Sequence, residues 1–400
     1  MSGGVMSIQS EIEALTSPGL QGSDTKLTNT PEGWRPRLEV DASGGFLIST
    51  PRNAGEIPDA VEILKEFKLD PNAWRVVNVR KSQWQRYDGE WLEAQRLTIV
   101  PATLHSASDS DAELLLTQVT KWRPRAGIKP FTGDLTGVFA VGDTQYGKDA
   151  GDGTEGTIKR FRNGLDGSVA RLKELRKMGR SIGTVCLPQL GDCIEGMTSQ
   201  NGKVLGRSDL GVSFQVRLGR RLLLEQVKAF APLVDELIVP VIDGNHDQVH
   251  RMLLTDPVDS WQIEIVSAVQ DACAENPALA NVKFRFPERD NSTLAIAFGE
   301  TTLGIAHGHQ FKDAEKWLSG QALGQTPVGS ADILLTAHYH HFQAKQLGKR
   351  LWLQVPALDG GSPWFRNSRG LEAPAGLLSF VIGDGYSPMR DLAILGVEQR

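Results

Sequence analysis

The chain has 400 residues, of which 40% are hydrophobic and 23% charged, and a formal net charge of -5. That apolar content suffices for one large domain and a smaller one and excludes a wholly disordered chain, while the acidic balance excludes a wholesale polyanion-binding surface but not a local basic groove. Three cysteines without a Cys-x-x-Cys pair exclude a disulfide scaffold and point to a reducing, cytoplasmic setting.

Residues 1–33 are rich in Ser, Gly, Thr and Pro without periodicity and read as a mobile arm. They contain no leader-like apolar run of about 7 to 15 residues, and no part of the chain approaches the ~18 apolar residues of a membrane span, so neither export nor a membrane partner is expected. Residues 34–105 form a small α/β module, with strands expected at 45–50, 75–79 and 91–100 and a short helix at 59–67. In it Arg75, Arg80, Lys81, Trp84, Arg86 and Trp91 mix cations with aromatics as a nucleic-acid or partner-binding surface does. Asp88, Glu90 and Glu93 interrupt them, so an ordinary amphipathic strand face is the competing reading. Residues 106–134 read as a linker with a basic end at Lys121, Arg123 and Arg125.

From 135 to 400 the pattern is that of a larger α/β domain. Strands at 136–142, 183–190 and 236–242 alternate with helices at 158–179 and 213–230, which implies parallel strands joined by helical crossovers. Val216, Leu218, Leu222, Leu223, Val227 and Phe230 recur at helical spacing and are core packing. Helices are expected near 258–274 and 312–320. Strands at 282–287, 293–298, 301–306, 332–337, 350–356 and 376–382 imply a second sheet.

Polar residues that directly follow apolar strands gather at one end of such a sheet, where α/β proteins bind ligands. Five strand ends carry metal-ligand side chains: Gly142-Asp143-Thr144-Gln145, Gly191-Asp192-Cys193-Ile194-Glu195, Asp243-Gly244-Asn245-His246-Asp247, His307-Gly308-His309 and His338-Tyr339-His340-His341. Of the eight histidines, seven lie between residues 246 and 341. Carboxylates and imidazoles together suit Mn²⁺, Fe or Zn²⁺ better than Mg²⁺ or Ca²⁺, and a pair of such ions about 4 Å apart can neutralise a phosphoryl transition state. Asp143 or Asp192 alone reads first as a helix cap or turn residue; the histidines decide in favour of metal.

In the order of these motifs the chain resembles the calcineurin-like metallophosphoesterase superfamily over residues 136 to 362, in its nuclease and phosphodiesterase branch as found in phages and bacteria. The resemblance implies a four-layer α/β/β/α sandwich and two divalent ions, Mn²⁺ first, with Fe or Zn²⁺ next. It implies Asp143, Gln145 and His340 on the first ion, Asp192 bridging, and Asn245, His307 and His338 on the second. His246 would serve the leaving oxygen and Asp247 would orient it. Two positions depart from the family pattern: Gln145 stands where a histidine is usual, and Ala337 where a glycine is usual.

The reaction implied is phosphodiester hydrolysis, with DNA or RNA as the expected substrate. A phosphomonoesterase acting on protein or nucleotides, and a binding module that keeps the fold without turnover, are the alternatives. Trp364 and Arg366 could stack on and pair with such a substrate, or pack against the second sheet. Glu195 reads either as a partner of the site or as a first-turn acidic residue, His250 and His341 as surface and supporting histidines, and Cys193 as packing. The sequence fixes no oligomeric state.

Overall fold

A computed structural model describes residues 30–31, 33–41, 44–86, 88–101, 119–197, 208–249, 256–361, 366–367, 370 and 373–396. The chain divides into two compact units, Met1–Leu114 and Leu115–Arg400. Almost all of the segment read as a mobile arm lies outside the described residues.

The first unit is an antiparallel sheet with one helix. Strands β1 (Arg37–Asp41), β2 (Gly44–Ile48), β5 (Trp91–Pro101) and β3 (Arg52–Asn53) lie in that order, and β4 (Trp74–Gln85) pairs along β5. Helix α1 (Ala60–Glu66) starts at Asp59, whose side chain accepts from the Glu62 N–H at 2.9 Å and satisfies one of the helix's open donors. Ile63 and Leu64 of α1 are buried with Leu47, Leu69, Trp74, Leu97 and Ile99 in one apolar cluster. β4 extends well beyond the 75–79 read from the sequence, because its polar residues as far as Gln85 are registered opposite β5. On this hairpin Lys81 lies 3.5 Å from Glu93, and Arg86 is bonded to Asp88, so acidic neighbours offset two of the cations.

The second unit has two sheets. In the first, parallel strands β6 (Leu135–Ala140), β7 (Ile182–Cys186), β8 (Glu236–Pro240) and β9 (Val282–Arg285) are continued on the β6 side by antiparallel β15 (Leu377–Ile382) and β16 (Ala393–Leu395). The second sheet runs β10 (Thr293–Phe298), β11 (Thr301–Ala306), β12 (Ile333–Thr336), β14 (Arg350–Gln354) and β13 (Gln343–Leu347). β11, β12 and β14 are parallel to one another.

Alternate residues of each strand point to opposite faces, and this separates three cores. Phe139, Val185, Leu237 and Val239 pack beneath helices α2 (Gly153–Lys177), α3 (Val212–Phe230) and α4 (Trp261–Ala274); the Phe139 and Phe230 rings are 5.0 Å apart. Val138, Ala140, Cys186 and Ile238 face Leu303, Ile305, Leu335 and Leu353 of the other sheet. Leu334 and Trp352 turn outward onto Leu318 of α5 (Ala314–Leu323). The order helix, sheet, sheet, helix is the expected α/β/β/α sandwich.

Within the segment read as a linker, residues 119–134 pack into the second unit: Val119 and Phe131 are buried in its helix-side core, and Phe131 bridges Val234. Their apolar side chains supply burial that a free connector lacks. Among the described residues no helix is long and apolar enough to cross a membrane.

Candidate metal centre

The loops after β6 and β7 continue the sheet beyond its regular strands. Asp143 N–H donates to Gly191 O at 3.2 Å, Gln145 N–H to Asp192 O at 2.9 Å and Glu195 N–H to Tyr146 O at 2.9 Å. Close approach is built into the glycines: a Cβ on Gly244 would lie 2.3 Å from Asp192 N, and one on Gly142 would lie 2.7 Å from the Ala337 Cβ. Asp143, Gln145, Asp192, His338 and His340 all have positive φ, between 41° and 72°. This region is uncommon for non-glycine residues, and strained backbone of this kind concentrates at functional sites.

Side chains from both sheets meet here. His307, at the end of β11, donates from Nδ1 to Leu190 O at 2.7 Å, which places its Nε2 3.2 Å from Asp192 Oδ2 and 4.0 Å from Asp143 Oδ1. The ligand atoms of Asp192, His307 and His338 all lie within 4.8 Å of one another. His338 N–H donates to Asp143 Oδ2 at 2.8 Å, which orients that carboxylate, and His340 Nε2 is 3.4 Å from Asp143 Oδ1.

The electrostatics are those of a buried site built around charge. Burial penalises the ionised forms of Asp192 and His307, but each holds the other charged: Asp192 stays well below the carboxylate range and His307 rises to about 10. His340, between Asp143 and Asp359, likewise rises against its burial to about 10. Burial and the neighbouring His307 push His309 and His338 down to about 4, so both are neutral imidazoles.

The residues present fit a divalent cation. Among the described residues, Asp143 Oδ1, Asn245 Oδ1 and His307 Nε2 are buried and have no hydrogen-bond partner. Each such group costs about 1–3 kcal/mol if left unsatisfied, a cost that cations bound among them would offset. Mixed imidazole nitrogen and carboxylate or amide oxygen is a donor set for Mn²⁺, Fe or Zn²⁺.

The expectation for Asp247 is corrected. Its carboxylate accepts from the main-chain N–H groups of Asp192 (2.5 Å), Cys193 (3.0 Å), Ile194 (3.3 Å) and Gly244 (3.2 Å). It therefore clamps the β7 loop against the β8 loop and does not orient His246; burial and the Asp192 charge push it up to about 7. Glu195 takes the orienting place, with its carbonyl oxygen 3.2 Å and its carboxylate Oε2 3.4 Å from His246 Nδ1. The His246 N–H donates to Asp192 Oδ1 at 2.6 Å.

Two residues escaped the sequence reading. Lys148 Nζ donates to Gln145 Oε1 at 2.7 Å and is ion-paired with Asp359, whose Oδ2 lies 3.3 Å from His340 Nδ1. In sequence Asp359 merely opens a Gly-Gly turn and Lys148 stands three residues after Gln145, so neither carries a local signal of this contact. Arg366 is exposed, whereas Trp364 and His250 lie outside the described residues. His341 contacts Tyr339 O at 2.8 Å. Cys193 is buried, and burial raises its thiol, as expected of packing and not of a nucleophile.

Among solved structures, Vacuolar Protein Sorting 29 from Cryptosporidium parvum is similar at 15% identity over 63% of this chain and 87% of that one, with a TM-score of 0.30. A predicted phosphoesterase from Streptococcus pneumoniae matches at 15% identity over 64% and 87%, with a TM-score of 0.28. An archaeal phosphodiesterase matches at 11% identity over 65% and 99%, with a TM-score of 0.30. Likeness at this level says nothing about what this chain binds or turns over. No protein-family model matches the chain, and no curated protein matches it.

Proposed function

We propose that the second unit is a metal-dependent phosphoesterase that hydrolyses phosphodiesters, with nucleic acid as its substrate class. The observation that carries this reading is the buried convergence of Asp192, His307 and His338 beside Asp143 Oδ1 and Asn245 Oδ1, which accept no hydrogen bond. Divalent ions, when bound, supply positive charge to a phosphate and lower the pKa of water.

The chain's own residues do the rest. Asp143, Asp192, Asn245, His307, His338 and His340 are the candidates to hold the ions. The apolar interface between the two sheets lies directly below this set and keeps it rigid. His246 and His340 each leave 21% of the side chain exposed, which makes theirs the side from which a phosphate approaches. Because Glu195 O accepts from His246 Nδ1, a proton passed to a leaving oxygen comes from Nε2, and the Glu195 carboxylate supports the imidazolium that carries it.

The test is hydrolysis of a bis-aryl phosphodiester, an aryl phosphomonoester, and single- and double-stranded DNA by the purified chain, each with Mn²⁺ and with chelator. Metal-dependent cleavage of diester and DNA is expected. Turnover of the monoester alone would make the chain a phosphatase, and silence from metal-loaded protein on every substrate would make it a binding module.

A further inference from the structure

The resemblance implies two ions, the first on Asp143, Gln145, Asp192 and His340, yet beside Gln145 and Asp359 the structure places a cation of the chain's own. The Lys148 ammonium is bonded to Gln145 Oε1 at 2.7 Å and paired with Asp359. Asp359 Oδ2 is 3.3 Å from His340 Nδ1, and His340 Nε2 is 3.4 Å from Asp143 Oδ1. Three of the four residues expected on the first ion are thus tied to the lysine directly or in series.

The arrangement is built in. The Lys148 side chain is only 16% exposed, and that of Asp359 4%. Lys148 is set in a turn in which its N–H donates to Gln145 O at 3.1 Å. Asp359 is carried to it by its neighbour Leu358, whose N–H donates to Asp143 O at 3.3 Å and whose carbonyl accepts from Arg160 Nε of α2 at 2.8 Å.

We propose that Lys148 stands in for the first ion, so that this chain holds one divalent cation, on Asp192, Asn245, His307 and His338, with the ammonium as the second positive charge of the site. The inference rests on the metal-dependent reading above. It accounts for Gln145: an imidazole there would offer a nitrogen lone pair to a metal, whereas the neutral amide oxygen is a good acceptor for an ammonium N–H. An oxygen already holding an ammonium is a poor ligand for another cation, since the two charges would repel across a buried space. Among the described residues two of the ammonium's three N–H groups are engaged, which leaves one for a phosphate oxygen.

The experiment counts ions on the full chain, stripped with chelator and reloaded with Mn²⁺, by calorimetric titration and elemental analysis, with electron paramagnetic resonance to show whether the ions are isolated or exchange-coupled. One Mn²⁺ per chain and an uncoupled spectrum are expected for the natural sequence. The double variant Gln145→His with Lys148→Ala should gain a second ion and a coupled spectrum. Two coupled ions in the natural sequence, or a folded double variant that still takes only one, would overturn the proposal and leave the metal-dependent reading standing. No ion bound at millimolar Mn²⁺ would remove that reading and the proposal together. If the double variant fails to fold, the count and spectrum of the natural sequence still decide.

Discussion

Replacing His246 with Ala separates the group proposed to serve the leaving oxygen from the groups proposed to hold the ion. The main-chain N–H of residue 246 donates to Asp192 Oδ1 at 2.6 Å, and this bond survives the substitution, so the Asp192 carboxylate stays oriented. The lost imidazole touches Glu195 and is partly exposed, so stability should change by only about 1 kcal/mol. The rate should fall by about 10²–10⁴-fold, the usual worth of a positioned acid and equivalent to about 3–5.5 kcal/mol of barrier. A steady-state assay over diesters whose leaving alcohols span a range of acidity gives the sharpest readout. The loss should be largest for the poorest leaving group, which most needs a proton, while metal content by elemental analysis stays at the natural value. Glu195→Gln should show the same dependence on leaving group with a smaller loss. A loss independent of the leaving group, or metal missing from His246→Ala, would refute the assignment.

Asp192→Asn should weaken Mn²⁺ binding by more than the ~10–100-fold typical of losing an outer partner, measured by calorimetric titration; unchanged affinity would take Asp192 out of the ligand set. Asp247→Asn should act on stability: an amide cannot accept all four main-chain N–H groups, so a cost of about 2–5 kcal/mol and a lower melting temperature are expected. A natural melting temperature with impaired turnover would instead return Asp247 to the chemistry. Asp391 is buried, which raises its carboxyl, but Arg180 Nε at 2.8 Å and the Tyr386 hydroxyl outweigh this and hold it below its ordinary value. A depressed carboxyl stabilises above its unfolded pKa and loses that contribution as pH falls through the folded one. Asp391→Asn should therefore lower the melting temperature at pH 7, and the difference should shrink as pH falls below about 4; a gap independent of pH would exclude the ion pair as its source.

The strand ends were legible in the sequence because a run such as Val138 to Val141 can only be a buried strand, and an Asp directly after it must sit at the sheet's edge. The wiring among those residues was not legible. Asp247 adjoins His246 in sequence, but the left-handed backbone at Asp192 belongs to a loop whose N–H groups converge on Asp247, leaving His246 to Glu195, 51 residues earlier. Lys148 and Asp359 are 211 residues apart, and no local pattern pairs them. Among the strands of the second unit, β13 was missed because its exposed Ala344, Lys345 and Gln346 lack the apolar alternation of a half-buried strand, and β16 because three residues carry too little pattern to read.

The candidate ligands are divided between the two sheets: Asp192 and Asn245 follow strands of one, and His307 and His338 follow strands of the other. Below them the sheets meet through apolar side chains such as Ala140, Ile305 and Leu335. An ion held from both sides is therefore a rivet through the sandwich, and its binding free energy is added to the free energy of keeping the two halves together. Chelation should then loosen the seam first: amide exchange would quicken at the ends of β7, β8, β11 and β12 while the helix-side core of α2 and α3 stayed protected.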